Sequence, residues 1–239
     1  PARKPESLLT QREMDIARSL QDVTEEIMIR MAHHVKKVTN EKYLCLAGGV
    51  ALNCVGNGKL LRENIFDDIW IQPAAGDAGG ALGAAFAVYH QYFDQPLQKK
   101  NGRDLQKGSY YGTEYSDDDI KEFLNIYKIP AHKVTREELV TQISNLIADG
   151  KIIGWFEGRM EFGPRALGAR SIIGDARNSE MQKKMNLKIK YRESFRPFAP
   201  TVLAEKVSEW FELDRESPYM LIVADVKKEK QREMTDEEK

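Results

Sequence analysis

The clearest pattern in the sequence is a helical repeat of apolar positions near its start. Thr10-Gln11-Arg12-Glu13 has the spacing of a capping box, in which a hydroxyl side chain and a glutamate satisfy backbone groups at a helix start. Apolar residues then recur every three or four positions, at Ile16, Leu20, Val23, Ile27, Met31 and Val35. The pattern predicts one long helix that ends before Asn40.

Two short apolar segments after this helix each lead into a glycine-rich turn. Residues 43–46 predict a buried strand that runs into Gly48 and Gly49. Residues 69–71 predict a second strand, which is followed by a turn with Gly76 and Asp77, and an alanine-rich segment from about 81 to 92 predicts the next helix. This alternation of helices and strands is typical of an α/β fold.

A loss of periodicity then divides the sequence in two. Residues 95–108 contain one proline and two glycines, and they predict a linker between a first domain at 1–94 and a second at 109–239. In the second domain the pattern predicts three helices, at 116–127, 136–148 and 178–190, and two strands, at 151–156 and 219–226. Both domains are therefore expected to be α/β.

The composition favours a soluble globular protein and argues against two classes of partner. The 239 residues are 41% hydrophobic and 31% charged, with a net charge of −1, whereas proteins that bind nucleic acid or membrane surfaces usually carry a marked excess of positive charge. Cys45 and Cys54 have no Cys-x-x-Cys spacing, which favours a reduced, cytoplasmic environment. A start without Met and a highly charged end favour a fragment of a longer protein.

Positive charge is concentrated in one part of the sequence. Residues 151–200 hold eleven Lys and Arg against five Asp and Glu, and residues 158–171 alone hold three arginines and three glycines. Arginine matches phosphate or carboxylate oxygens with a planar fork of donors, and glycine lets backbone N–H groups approach an anion. We therefore predict a site for a nucleotide or acyl phosphate on three cations, Arg165, Lys190 and Arg196. The alternative is a solvated surface with ion pairs to three nearby acids, Glu157, Glu161 and Glu193.

The two glycine turns each allow a functional and a structural interpretation. Gly48 and Gly49 would free backbone N–H groups for an anion at a helix start, with Asn53 as a donor to a ribose or phosphate oxygen, or they would form only a tight turn. After Gly76, Asp77 would coordinate a divalent metal or else cap the following helix. On the local sequence alone, the cap is favoured for Asp77.

The strongest motifs resemble those of the ATP-dependent O-carbamoyltransferases that modify nodulation factors and antibiotics. Glu-Phe-Gly-Pro-Arg-Ala-Leu-Gly-x-Arg-Ser at 161–171 and Lys-x-Arg-x-x-x-Arg-Pro-Phe-Ala-Pro at 190–200 carry the resemblance, which extends to residues 46–53 and 73–85. The resemblance implies that the first domain is the C-terminal part of an actin-like (ASKHA) nucleotide-binding domain. It implies that the second domain is most of a YrdC-like α/β domain.

The same resemblance implies an activity and its partners. The YrdC-like domain would join carbamoyl phosphate and ATP into carbamoyl-adenylate and release pyrophosphate. A metal site in the actin-like domain, with iron implied and Mg²⁺ as the alternative, would then pass the carbamoyl group to a hydroxyl of a small-molecule acceptor. A nucleic-acid or membrane partner is not expected, and a homodimer is a further option. The N-terminal half of the family, with two metal-binding histidines, and its C-terminal segment have no counterpart in this sequence.

The resemblance assigns these roles to particular residues. The catalytic positions that act on carbamoyl phosphate and the adenylate are Arg165, Lys190 and Arg196. The cofactor-binding positions are Gly48, Gly49, Asn53, Gly76, Arg170 and Ser171. Asp77 matches a metal ligand, which reverses the preference for a helix cap.

Two other functions remain open from the sequence. An actin-like small-molecule kinase would use the glycine turns for ATP, but it leaves the arginine segment unexplained. A non-catalytic RNA-binding module would use the cations at 183–196, and its affinity would fall steeply with salt.

Overall fold

The computed structural model describes residues 2–97 and 104–234, so the centre of the predicted linker lies outside the described residues. The chain divides into two compact units, each built from two stretches of sequence. We call Leu9–Lys99 with Thr201–Lys239 the N-terminal unit, and Lys100–Pro200 with Pro1–Leu8 the central unit. This grouping differs from the predicted domains at 1–94 and 109–239. The start of the chain belongs to the central unit, and its last part belongs to the N-terminal unit.

The N-terminal unit begins with the long helix that the capping box predicts. Helix α1 spans Gln11–Thr39, and both hydrogen bonds of the capping box between Thr10 and Glu13 are present. Asn40 ends the helix in the left-handed conformation, in which its backbone N–H donates to the carbonyl of Lys36. The prediction of this helix is confirmed at both ends.

The apolar stripe of α1 does not face the core of the N-terminal unit. Ile16, Leu20 and Met31 are 58%, 69% and 63% exposed, whereas Glu25 and Ala32 are buried. At about 100° per residue, the stripe lies on the side of the helix opposite the buried residues. The apolar pattern therefore identified the helix but not the face that packs within this unit.

A parallel strand pair follows α1. Strands β1, at Tyr43–Leu46, and β2, at Asp68–Ile71, pair in register and are connected through helix α2, at Cys54–Arg62. Helix α3, at Ala78–Ala87, continues as a π-helical turn at Val88–Tyr92. One hydrophobic cluster of this unit consists of Ala32, Leu60 and Phe66, with partly buried Leu44, Leu46, Ile65 and Ile69 packed against it.

The strand predicted at 219–226 is wrong. The described part of this segment has only one isolated bridge, between Phe211 and Val226. Its backbone groups bind helix α2 instead, because Val223 N–H donates to the carbonyl of Cys54 at 3.0 Å and Leu221 accepts from Asn57 at 3.0 Å. A strand needs a neighbouring strand for these groups, and here a helix takes that place.

The central unit confirms most of the predicted elements. Helices α4 and α5 span Asp117–Ile126 and Arg136–Ala148, each with a capping box, and β3 spans Ile153–Phe156. Strand β4, at Arg170–Ile173, pairs antiparallel with β3 and was not predicted. Both units therefore combine helices with small sheets, as expected for the α/β class.

The helix predicted at 178–190 starts later than expected. Helix α6 spans Met181–Met185 and continues as a π-helical turn at Asn186–Lys190. Asn178 does not cap it; its Oδ1 accepts from the N–H of Glu180 at 3.0 Å and forms a turn before the helix. A further short helix, α7 at Val207–Trp210, belongs to the N-terminal unit. Among the described residues, no helix is both long and apolar enough to cross a membrane.

Candidate anion-binding and nucleotide-binding sites

The arginine loop, which we define as residues 162–170, is closed by side chains of the protein itself. Oε1 of Glu161 accepts from the backbone N–H groups of Leu167 at 2.6 Å, Ala169 at 2.8 Å and Arg170 at 3.2 Å. The N–H of the intervening Gly168 donates to Oγ of Ser171 at 3.0 Å. Four consecutive amides are therefore satisfied internally.

The Glu161 carboxylate suits this role because it is buried and ionised. Only 7% of the residue is exposed. Burial by itself raises the pKa of Glu161, but the N–H groups that point at the carboxylate outweigh burial and hold the pKa below its usual value. The carboxylate therefore stays charged at neutral pH, where charge-assisted hydrogen bonds are about twice as strong as neutral ones.

A lower pH should weaken the hydrogen bonds by which Glu161 closes the arginine loop. A carboxyl whose pKa is lower in the folded protein contributes stability above its unfolded pKa and loses it as the pH falls through the folded value. We expect the stability difference between wild type and Glu161→Gln to be constant near neutral pH and to shrink below about pH 4.5, the ordinary value for glutamate. Urea unfolding of both proteins from pH 7 to pH 3 measures it. A difference that grows as the pH falls would contradict this prediction.

Arg170 fastens the arginine loop to its surroundings. Its Nη1 donates to the carbonyls of Glu157 at 3.1 Å and Ala169 at 2.9 Å, and its Nη2 donates to those of Thr113 at 3.3 Å and Gly158 at 3.1 Å. Its Cζ also lies 3.4 Å from the ring centroid of Phe156. The Arg170 guanidinium therefore donates its hydrogen bonds to backbone carbonyls of the protein. Ser171 also supports the loop, through the hydrogen bond that its Oγ accepts from Gly168.

Arg165 lies between the two bends of the loop. Gly163 and Gly168 have φ of 128° and 107°, a region that favours glycine, and they change the direction of the chain on either side of Arg165. The side chain is half-buried. The carbonyl of Leu167 also accepts from the hydroxyl of Tyr110 at 2.6 Å, which adds a further attachment on the C-terminal side.

Lys190 and Arg196 lie on a segment that one buried amide holds in place. Asn186 is completely buried; its Nδ2 donates to the carbonyls of Ser194 at 3.0 Å and Arg196 at 2.7 Å. Its Oδ1 accepts from Nε of Arg192 at 2.5 Å. Lys190 and Arg196 themselves are exposed.

The three nearby acids make other contacts. Glu157 pairs with Arg136 at 2.6 Å, Glu193 pairs with Arg3, and Glu161 binds backbone amides. These carboxylates are therefore not the partners of the exposed Lys190 and Arg196. The described contacts do not support the alternative of a surface neutralised by these glutamates.

The two glycine turns of the N-terminal unit lie side by side at the carboxyl ends of β1 and β2. The N–H of Gly48 donates to the carbonyl of Ala75, one residue before Gly76, at 2.8 Å. Gly48 has a φ of 95°, so its turn requires glycine. A Cβ at Gly48 or Gly49 would meet no described atom within 4 Å, so the space beside both is open. Ligands of parallel α/β sheets commonly bind at this edge.

Asn53 is engaged in structural contacts. Its Oδ1 accepts from the N–H of Gly56 at 3.0 Å and so caps helix α2. The same oxygen accepts from Nε2 of Gln21 at 3.2 Å, and Nδ2 donates to Oε1 of Gln21 at 3.0 Å. A nucleotide contact by Asn53 would have to replace one of these hydrogen bonds.

Asp77 does not act as a helix cap. It has helical backbone angles, is exposed, and makes no side-chain hydrogen bond to the start of α3. In the described parts of the chain, no group of three or more His, Cys, Asp or Glu is placed to hold a metal ion. Asp77 can supply one carboxylate ligand, but the described residues do not form a metal site by themselves.

Comparison with known proteins identifies the family. The carbamoyltransferase N-terminus family matches residues 2–86, and the carbamoyltransferase C-terminus family matches residues 144–237. The second match includes the arginine loop and the segment that Asn186 holds. The chain belongs to the carbamoyltransferase family.

Three curated relatives show the range of this similarity. An uncharacterised protein of Synechocystis sp. is 56% identical over 240 residues, covering 100% of this chain and 39% of the relative. Nodulation protein NolO of Bradyrhizobium diazoefficiens is 42% identical over 225 residues, with 92% and 40% covered. The 3'-hydroxymethylcephem-O-carbamoyltransferase of Streptomyces clavuligerus is 30% identical over 186 residues, with 78% and 33% covered. The chain thus spans at most about two fifths of the length of these relatives.

Sequence reasoning missed the residues that organise the central unit. It treated Glu161 only as a neutralising acid and gave no role to Asn186. A signal was available for Glu161, because it is the only acid in residues 158–171 and it directly precedes a glycine-containing loop whose backbone N–H groups need acceptors. Asn186 had no such signal, because its burial depends on contacts that form only in the folded unit.

Proposed function

We propose that this chain carries the carbamoyl phosphate site of an ATP-dependent O-carbamoyltransferase. The observation that carries the proposal is the arginine loop, in which the half-buried Arg165 lies between two glycine bends. A loop held in this way suits an anion, because a preorganised guanidinium binds phosphate oxygens in pairs at little conformational cost. The family membership and the named O-carbamoyltransferase among the relatives support this substrate class.

The proposed reaction has two stages. Water releases phosphate from carbamoyl phosphate, and an oxygen of the resulting carbamate attacks the α-phosphorus of ATP, which gives carbamoyl-adenylate and pyrophosphate. An acceptor hydroxyl then attacks the carbamoyl carbon, loses its proton and displaces AMP. Arg165, Lys190 and Arg196 would bind the phosphate oxygens and stabilise the negative charge that develops on them in the first stage.

The N-terminal unit is proposed to take part in the transfer stage. The open space beside Gly48 and Gly49 would admit a nucleotide, and Asp77 would supply one carboxylate to a metal completed by residues from elsewhere. The actin-like and YrdC-like assignments of the two units belong to this proposal. The acceptor would be a small molecule with a hydroxyl group, as the name of the Streptomyces clavuligerus relative indicates for that enzyme.

Calorimetric titration of the chain with carbamoyl phosphate tests the first stage. We expect Arg165→Ala, Lys190→Ala and Arg196→Ala each to weaken binding about 10- to 100-fold, because a hydrogen bond to a charged group contributes about 1.5–3 kcal/mol. Lys183→Ala is the matched control, since Lys183 is an exposed cation on α6 with no assigned role.

Two results would contradict the proposal. Absence of carbamoyl phosphate binding in the wild-type chain, with binding of a non-hydrolysable ATP analogue alone, would favour the kinase alternative. Equal weakening by Lys183→Ala and Arg196→Ala, with an affinity that falls steeply with salt, would indicate an unspecific cationic surface instead.

A further inference from the structure

The backbone of the arginine loop is largely unavailable to a ligand. Glycine-rich loops commonly bind phosphate through consecutive N–H groups. Here the N–H groups of residues 167–170 donate to Glu161 and Ser171. The N–H of Phe162, at the other end of the loop, donates to the carbonyl of Ser109 at 2.7 Å. The loop has the composition of a phosphate-binding loop, but the side chains of Glu161 and Ser171 occupy the amides on its C-terminal side.

The closure also determines where Arg165 lies. Glu161 directly precedes the loop, and its carboxylate binds the amides at the loop's C-terminal end. The backbone between these points, which includes Arg165, therefore forms a short closed turn. The bends at Gly163 and Gly168 belong to this turn. A shift of residues 167–170 away from Glu161 would change the path of the backbone at Arg165, because only one residue separates Arg165 from that segment.

We propose that Glu161 is a positioning residue for Arg165. Its carboxylate accepts from three backbone amides of the loop, those of residues 167, 169 and 170, so the guanidinium of Arg165 becomes the group that the loop presents to carbamoyl phosphate. The identity of that ligand rests on the proposed function, whereas the closure of the loop does not. The ligand would then be bound by the planar guanidinium of Arg165 instead of by backbone N–H groups. Arg165→Lys should therefore bind carbamoyl phosphate more weakly, although it keeps the positive charge.

Two readouts test this role on the full 239-residue chain. Amide hydrogen exchange of residues 167–170 reports the closure without any ligand, and calorimetry with carbamoyl phosphate reports the effect on the site. The variants are Glu161→Gln, which keeps an acceptor oxygen without the charge, and Glu161→Ala, which removes both. Glu157→Gln is the matched control, because the Glu157 carboxylate is exposed and pairs with Arg136 outside the loop.

The expected results are graded. Exchange of the four amides should be slow in wild type and in Glu157→Gln, faster in Glu161→Gln and fastest in Glu161→Ala. The affinity for carbamoyl phosphate should fall in the same order, by about tenfold in Glu161→Gln and further in Glu161→Ala, in keeping with the loss of charge-assisted hydrogen bonds. Agreement of the two orders would support a positioning role.

Other results would separate a failure of this inference from a failure of the proposed function. Unchanged affinity in Glu161→Ala, with binding lost in Arg165→Ala, would overturn the positioning role and leave the carbamoyl phosphate site standing. Fast exchange of residues 167–170 in wild type would overturn the closure itself. Slow exchange in wild type without any carbamoyl phosphate binding would overturn the proposed function and, with it, the role of Glu161 toward that ligand.

Discussion

Replacement of Asn186 by alanine is expected to destabilise the central unit by about 2–4 kcal/mol, because each buried polar group left without a partner costs about 1–3 kcal/mol. Asn186 is completely buried and makes three hydrogen bonds through one side chain. Alanine would leave the carbonyls of Ser194 and Arg196 and the Nε of Arg192 without this partner. The segment that carries Arg196 should then lose its fixed path, and carbamoyl phosphate binding should weaken with it.

Gln182 offers a matched control for Asn186. Its Nε2 donates to the carbonyls of Phe195 at 3.2 Å and Arg196 at 3.1 Å, so it binds the same segment, but it is exposed. Water can replace these hydrogen bonds, so Gln182→Ala should change the stability by no more than about 0.5 kcal/mol. Urea unfolding of both variants measures the difference. Equal effects of the two substitutions would show that burial of Asn186 is not what holds the segment.

Replacement of Gly58 by alanine is expected to destabilise the N-terminal unit by about 2–3 kcal/mol, within the range found for overpacked sites. A Cβ at Gly58 would lie 2.2 Å from the backbone oxygen of Val223. To make room, α2 or the segment at 221–223 would have to move. That movement would also stretch the hydrogen bonds from Val223 to Cys54 and from Asn57 to Leu221.

Gly56 on the same helix is the control for Gly58. A Cβ at Gly56 would lie 2.7 Å from Sδ of Met28, the flexible end of a side chain that can turn away. Both substitutions gain about 0.5–1 kcal/mol from the better helix propensity of alanine, so the comparison isolates the backbone clash. Thermal unfolding should show a lower midpoint for Gly58→Ala and little change for Gly56→Ala. Similar midpoints would mean that the packing of α2 on 221–223 is looser than the structure shows.

The elements that sequence reasoning predicted correctly depend on contacts between close neighbours in the chain. The capping boxes at Thr10, Ser116 and Thr135 each join residues three positions apart, and all three helices begin where these boxes lie. The strand predicted at 219–226 does not form because its backbone partners on α2 lie 164 or more positions away along the chain. Strand β4 was not predicted, because its first residues, Arg170 and Ser171, were interpreted as part of the binding loop.

For the candidate sites, too, the sequence indicated some of the important residues and not others. Residue types and spacing indicated Arg165, Lys190 and Arg196 as a set, and two glycine turns that each follow a strand. Only the pairing of β1 with β2 places the two turns side by side. Their assignment to ligands stays a prediction until binding is measured. The sequence marked Glu161 only as the single acid of residues 158–171 and did not mark Asn186 at all. Their partners could not be predicted, because an acid or an amide has no preferred partner until the chain folds.

The sequence by itself determined the family, the α/β class and the position of most helices, because motifs and capping patterns act over a few residues. Only the tertiary structure decided which face of α1 is buried, since a helix with an apolar stripe on one side and small or polar groups on the other can pack by either. It also decided that the amides of Leu167, Ala169 and Arg170 bind Glu161 rather than a ligand, and that the amide of Gly168 binds Ser171. A buried carboxylate must find donors wherever the fold provides them, and here the fold provides the end of the arginine loop.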